Sequence, residues 1–204
     1  MLPKFVTNPA IRGFICFILL KNLGQNLFNS VISFELIERG FSYDYIIIIG
    51  TLLTPVGILI TIIAGNWLKR GQNQKYSIFF SIISFLSAVT TYILVCNYHS
   101  KADDNNLFIS LMITSIVFAF GPLSYIFDSG FLNDIADARI GGMYITFIAC
   151  FMNLSAMLPE TVGLYVIKYT NFDTYSYVTL TISFISIPVA MWYAGKLDAL
   201  DVTE

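Results

Sequence analysis

The chain has 204 residues, a formal net charge of −2, 56% hydrophobic and 12% charged side chains, and a mean hydropathy of +0.73. So few charges cannot cover a water-soluble particle of this size, which excludes a soluble domain and assigns the chain to the lipid bilayer as an all-α membrane protein. The charge balance is small and no basic tract occurs, so nucleic acid is not an expected partner.

A membrane crossing needs about 20 mostly apolar residues, and six stretches meet that requirement: 12–34, 45–66, 76–97, 107–129, 143–167 and 175–195. They predict a single six-transmembrane-helix bundle. Charged and glycine-bearing turns separate the stretches, among them Glu38-Arg39-Gly40, Lys69-Arg70-Gly71 and Asn171-Phe172-Asp173. The first apolar run continues from Gly13 without a small-residue cleavage site and is expected to be retained. Lys4, Arg12, Lys69, Arg70, Lys75, Arg139 and Lys196 fall on one side of this topology, and Arg39, Lys101 and Lys168 on the other. Cytosolic loops carry the excess of Lys and Arg, so both termini are expected in the cytosol.

In the first stretch Lys21, Asn22, Gln25, Asn26, Asn29 and Ser33 recur at spacings of three and four and form a polar stripe along a helix. A charge at mid-membrane costs at least about 2.5–3.5 kcal/mol, so Lys21 is expected to face a cavity, to meet an anionic partner or to snorkel to the cytosolic headgroups. The second stretch offers the contrast of a fully apolar run, Ile46 to Ile49. Pro55, Gly121-Pro122, Pro159 and Pro188 interrupt the apolar pattern and permit bent or discontinuous helices. Asp128 and Asp134 bracket the end of the fourth stretch, with Asp137 and Arg139 following in the turn. These carboxylates either cap helix ends and pair with Arg139, or act in gating or proton transfer, with Asp128 the deepest and Tyr125 expected on its face. Around Pro159 the fifth stretch gathers Asn153, Ser155, Glu160 and Thr161, and Glu160 needs a partner or water at that depth. Cys16, Cys96 and Cys150 lie far apart, with no spacing suited to a metal or a redox pair, and are read as small packing residues.

The run Asn133-Asp134-Ile135-Ala136-Asp137-Ala138-Arg139-Ile140-Gly141-Gly142-Met143-Tyr144-Ile145-Thr146, followed by Asn153-Leu154 and Pro159-Glu160-Thr161-Val162, resembles the signature of the acetyl-coenzyme A transporter family of the major facilitator superfamily. Lys21 and Leu36-Ile37-Glu38-Arg39-Gly40 resemble that family's seventh helix and its exit. The chain departs from the family at Ala138, Met143, Ala149 and Ser155, where the family has Pro, Thr, Asn and Gly. The resemblance covers the C-terminal half of such a transporter. It implies transport of acetyl-CoA from the cytosol into an organelle lumen, residence in the endoplasmic reticulum membrane, no cofactor, and a missing N-terminal six-helix half or a second copy as partner. Under it the expected substrate contacts are Lys21, Asn22, Gln25, Asn29, Arg139 and Asn153, with Asp128 and Glu160 as gating or proton-linked groups. The Gly141-Gly142 turn would offer free helix-start amides beside Arg139 to an anion, or would simply pack helices closely. Transport of another organic anion, as in muropeptide permeases, and a non-transporting scaffold are the alternatives. A membrane-embedded acyltransferase is disfavoured, because the single histidine, His99, stands in a loop with no acidic partner in its motif.

Overall fold

A computed structural model describes residues 9–67, 72–98, 103–121, 123–135 and 141–201. Among them the chain forms seven helices, α1 Pro9–Glu38, α2 Tyr43–Gly65, α3 Asn73–Cys96, α4 Asp104–Val117, α5 Leu123–Ile135, α6 Gly141–Ile167 and α7 Phe172–Asp201. Five contain stretches long and apolar enough to cross a bilayer: Ile15–Glu38 in α1, all of α2, all of α3, Ala149–Ile167 in α6 and Phe172–Trp192 in α7. The protein is therefore a helical multi-pass membrane protein.

The expected fourth stretch, 107–129, is interrupted. It is carried by α4 and α5, which end and restart around Phe118–Gly121. Gly121 is buried, and a Cβ there would stand 3.2 Å from the Ser84 Cα and closer still to the Ser84 hydroxyl, so the bare backbone lets the break lie against the middle of α3. Pro122 follows, and a proline has no N–H to donate and a ring that clashes with the carbonyl four residues back. Pro55, Pro159 and Pro188 stay inside continuous helices.

The first helix ends by a different device. Gly40 has φ 90°, its amide donates to the Ile37 carbonyl at 2.9 Å, and the Phe41 amide donates to the Leu36 carbonyl at 2.9 Å. This is a Schellman stop with Gly in the left-handed position and the accompanying apolar contact between Phe41 and Leu36, both buried in one cluster.

α1 is the spine of the bundle, packed chiefly on α7 and α6 and also on α3. Contacts along its length fix the directions: Lys21 lies beside Ser77 and Arg39 beside Val95, so α1 and α3 run the same way. Tyr175 meets Leu27 while Ser183 meets Gly24, so α7 runs the opposite way. The apolar packing falls into clusters toward the two ends of the bundle. One gathers Phe28, Val31, Phe41, Val95, Leu111 and Tyr175, and the other Ala64, Phe80, Leu123 and Phe127. In the second, Phe80 and Phe127 stack with centroids 5.3 Å apart and nearly parallel planes.

Candidate functional site

The polar stripe of α1 is divided among separate partners. Lys21 is buried, lying six residues past the start of the apolar segment, about 9 Å deep at ~1.5 Å per residue. Its Nζ donates to both carboxylate oxygens of Asp128 at 2.6 and 2.7 Å and to the Ser77 hydroxyl at 2.6 Å, and that hydroxyl donates to Asp128 in turn. The aromatic face of Phe17 lies 5.3 Å from the ammonium. Asp128 is fully buried, so α1, α3 and α5 are tied by a dehydrated pair whose charges cancel. Of the three outcomes open to Lys21 from its sequence, a cavity, an anionic partner or the headgroups, the structure shows the anionic partner, Asp128. The mate of Asp128 is Lys21 on α1, and Tyr125 does not share its environment, being 51% exposed while Asp128 is buried.

Asn26 turns the other way and donates to the Ser155 carbonyl of α6 at 2.9 Å, gluing two helices. Gln25 and Asn29 face a cavity of about 280 Å³. Its other polar walls are Ser84, Ser87 and Thr91 of α3 and Ser115 of α4, with Gly57 of α2 opposite and Phe118 and Ala119 of the helix break closing one side. Apart from Thr91, nearer the end of α3, these positions lie in the middle part of their helices or at the break, so the cavity sits at mid-depth of the bundle.

The remaining expected residues do not converge on this cavity. Asn22 is half-buried on α1, and Asn153 and Glu160 are exposed on α6, with Pro159 buried between them in chain order. Arg139 and Asp137 lie outside the described residues, as does His99. Among the described residues no group of three or more His, Cys, Asp or Glu could hold a metal ion. Cys16 and Cys150 are exposed and Cys96 is half-buried, all three as free thiols, so the two exposed thiols are not inside packing.

The polar face of α3 was not among the expected site residues. Gln74, Ser77, Ser81, Ser84 and Thr91 recur at three, four, three and seven residues on one face, and that spacing was available as a signal. Glu38-Arg39-Gly40 was expected as a turn and a helix exit, with no contact assigned to Arg39. In the structure Arg39 donates to Glu35 at 2.6 Å and to the Val95 carbonyl at 3.0 Å, approaches Asp173 at 3.8 Å and covers the Phe172 ring at 5.5 Å. These contacts line a cleft of about 800 Å³ between the ends of α1 and α6 and the start of α7, at the end of α1 remote from Lys21. Arg39 thus ties the end of α1 to α3 through Val95 and to the start of α7 through Asp173 and Phe172.

No protein-family model, no curated protein and no solved structure matches this chain.

Proposed function

We propose that the chain is a transport module of six crossings, in which α4 and α5 together make the fourth. The single observation that carries this reading is the mid-depth polar cavity beside a helix break. Solute sites of secondary transporters lie near the bilayer midplane and are formed by discontinuous helices whose freed backbone groups face the solute. Gln25 and Asn29 are the solute contacts. The Lys21–Asp128 pair is the gating or proton-linked element, because its partners sit on three helices and any separation of those helices must break it or move a proton across it.

The solute named by the turn resemblance is acetyl-CoA, carried from the cytosol into the lumen of the endoplasmic reticulum, with both termini cytosolic. A second six-crossing unit, from a further segment or a second copy, completes the pathway. Arg139 remains the candidate for the phosphates, since Lys21 is committed to Asp128.

The test is uptake of radiolabelled acetyl-CoA into proteoliposomes holding the protein. Saturable uptake that drops about tenfold in Gln25→Leu with Asn29→Leu is expected, a loss of ~1.4 kcal/mol of interaction. Absence of acetyl-CoA uptake, with flux of a muropeptide in its place, would overturn the substrate while leaving the transport class intact.

A further inference from the structure

The walls of the mid-depth cavity specify a chemistry. Among the described residues, no charged side chain lines it. Nor do the side chains of Gln25, Asn29, Ser84, Ser87, Thr91 and Ser115 have hydrogen-bond partners there, so their donors and acceptors are open to a ligand.

The break between α4 and α5 adds a sign. Ser115, Phe118 and Ala119, at the C-terminal end of α4, form part of the wall. The amide of Ala119 donates to the Ile116 carbonyl at 3.2 Å, so the carbonyl of Ser115, a wall residue, loses the donor an unbroken helix would supply. A helix C-terminus carries roughly −0.5 of an elementary charge in such carbonyls. The wall therefore favours groups that donate hydrogen bonds and opposes anions. One turn along α1 the Lys21 ammonium cannot reverse that sign, because Asp128 neutralises it.

We propose that this cavity receives the uncharged, hydrogen-bond-donating part of the transported solute, an amide- or hydroxyl-bearing arm, and repels its phosphates. The inference rests on the transport reading and deepens it. At ~30 Å³ per water, 280 Å³ is the space of about nine waters, which suits an arm of a solute and not a whole nucleotide conjugate. Applied to acetyl-CoA, the arm is the pantetheine portion with its amides and hydroxyl, and the phosphates must be held elsewhere.

The experiment uses the full chain with Cys16, Cys96 and Cys150 replaced by Ala and one new thiol in the cavity, Ser87→Cys or, independently, Ser115→Cys. Each is labelled in proteoliposomes with neutral and anionic methanethiosulfonate reagents of similar size, with rates normalised to a free thiol. The neutral reagent is expected to react at least tenfold faster than the anionic one at both positions. Equal rates, or no reaction with either reagent at either position, would overturn the proposal. S-acetylpantetheine, which has no free thiol to consume the reagent, is expected to slow labelling, and adenosine 3′,5′-bisphosphate to leave it unchanged; protection by the bisphosphate also overturns the proposal. If acetyl-CoA is taken up and S-acetylpantetheine gives no protection, this inference fails although the transport reading stands. If charge selectivity holds and no acetyl-CoA is taken up, the substrate reading fails and the uncharged site stands.

Discussion

Lys21 and Asp128 stabilise each other only as a pair, since each alone is a bare charge in a dehydrated interior. Removing one partner of such a pair costs about 3–5 kcal/mol, whereas replacing both by apolar groups of similar volume is close to neutral. Lys21→Met and Asp128→Leu are each expected to lower the thermal midpoint in detergent strongly, and the double variant to recover most of the loss and, under the transport reading, to lose the gated or proton-linked flux. A double variant as unstable as the singles would show that the pair does not act as a unit. That Lys21 stands out was legible in one residue, because a lysine inside an apolar run needs a cavity, an anionic partner or an escape to the headgroups. The partner's identity was not, because Asp128 lies 107 positions away and nothing in a single sequence marks which helices touch. Outside the crossings, Tyr98 tells a similar story. It is buried and donates to Asp104 at 2.5 Å, and burial first, then the Asp104 carboxylate, pushes its hydroxyl from 10.0 up to about 12. A raised native value means that the neutral form is favoured by folding, so this contribution is complete below pH 10 and lost as pH rises through 12. The ultraviolet difference between wild type and Tyr98→Phe is expected to show a tyrosine ionising near pH 12; ionisation near 10 would contradict the buried hydrogen bond.

At the scale of elements, the close approach of helices depends on glycines that the sequence did not announce. A Cβ at Gly24 of α1 would fall 2.6 Å from the Thr179 carbonyl oxygen of α7 and closer to the Ser183 amide nitrogen, both backbone atoms that cannot swing aside. Small residues allow such contacts, which provide much of the packing energy between helices in lipid. Gly24→Ala is expected to cost about 1–3 kcal/mol as overpacking, read as a lower thermal midpoint, whereas Gly50→Ala on α2, where nothing lies within 4 Å, should be neutral or slightly stabilising. Equal effects at the two sites would refute the packing described. Apolar length identified the long helices well, since length and composition alone decide whether a segment can cross. The interruption at Gly121 was legible as a Gly-Pro step but not as a stop, because Pro55, Pro159 and Pro188 do not stop theirs. What differs at Gly121 is the backbone of α3 pressed against it, a tertiary contact with no local signature.

For the whole molecule, the distribution of exposed polar groups separates surfaces that meet lipid from a surface that does not. α2 exposes Leu52, Ile58, Leu59, Ile62 and Ile63, a face suited to acyl chains. α6 exposes Asn153 and Glu160 within its apolar segment, where a lipid-facing carboxylate costs about 2.5–3.5 kcal/mol. The same helix keeps its Ser155 and Gly163 side against α1, so this polar face looks away from the bundle. Under the transport reading it is the side that meets the second six-crossing unit or the aqueous pathway between the two. A fluorophore on Asn153→Cys is accordingly expected to resist quenching by lipids carrying nitroxides in their acyl chains, while one on Ile62→Cys, at a residue 66% exposed, is quenched efficiently. Equal quenching would place the α6 face in lipid and remove the physical ground for a partner there. Resistance at Asn153 that vanishes when the protein is diluted in excess lipid would identify a second copy as the cover, and resistance that persists would identify water or a segment of the same polypeptide.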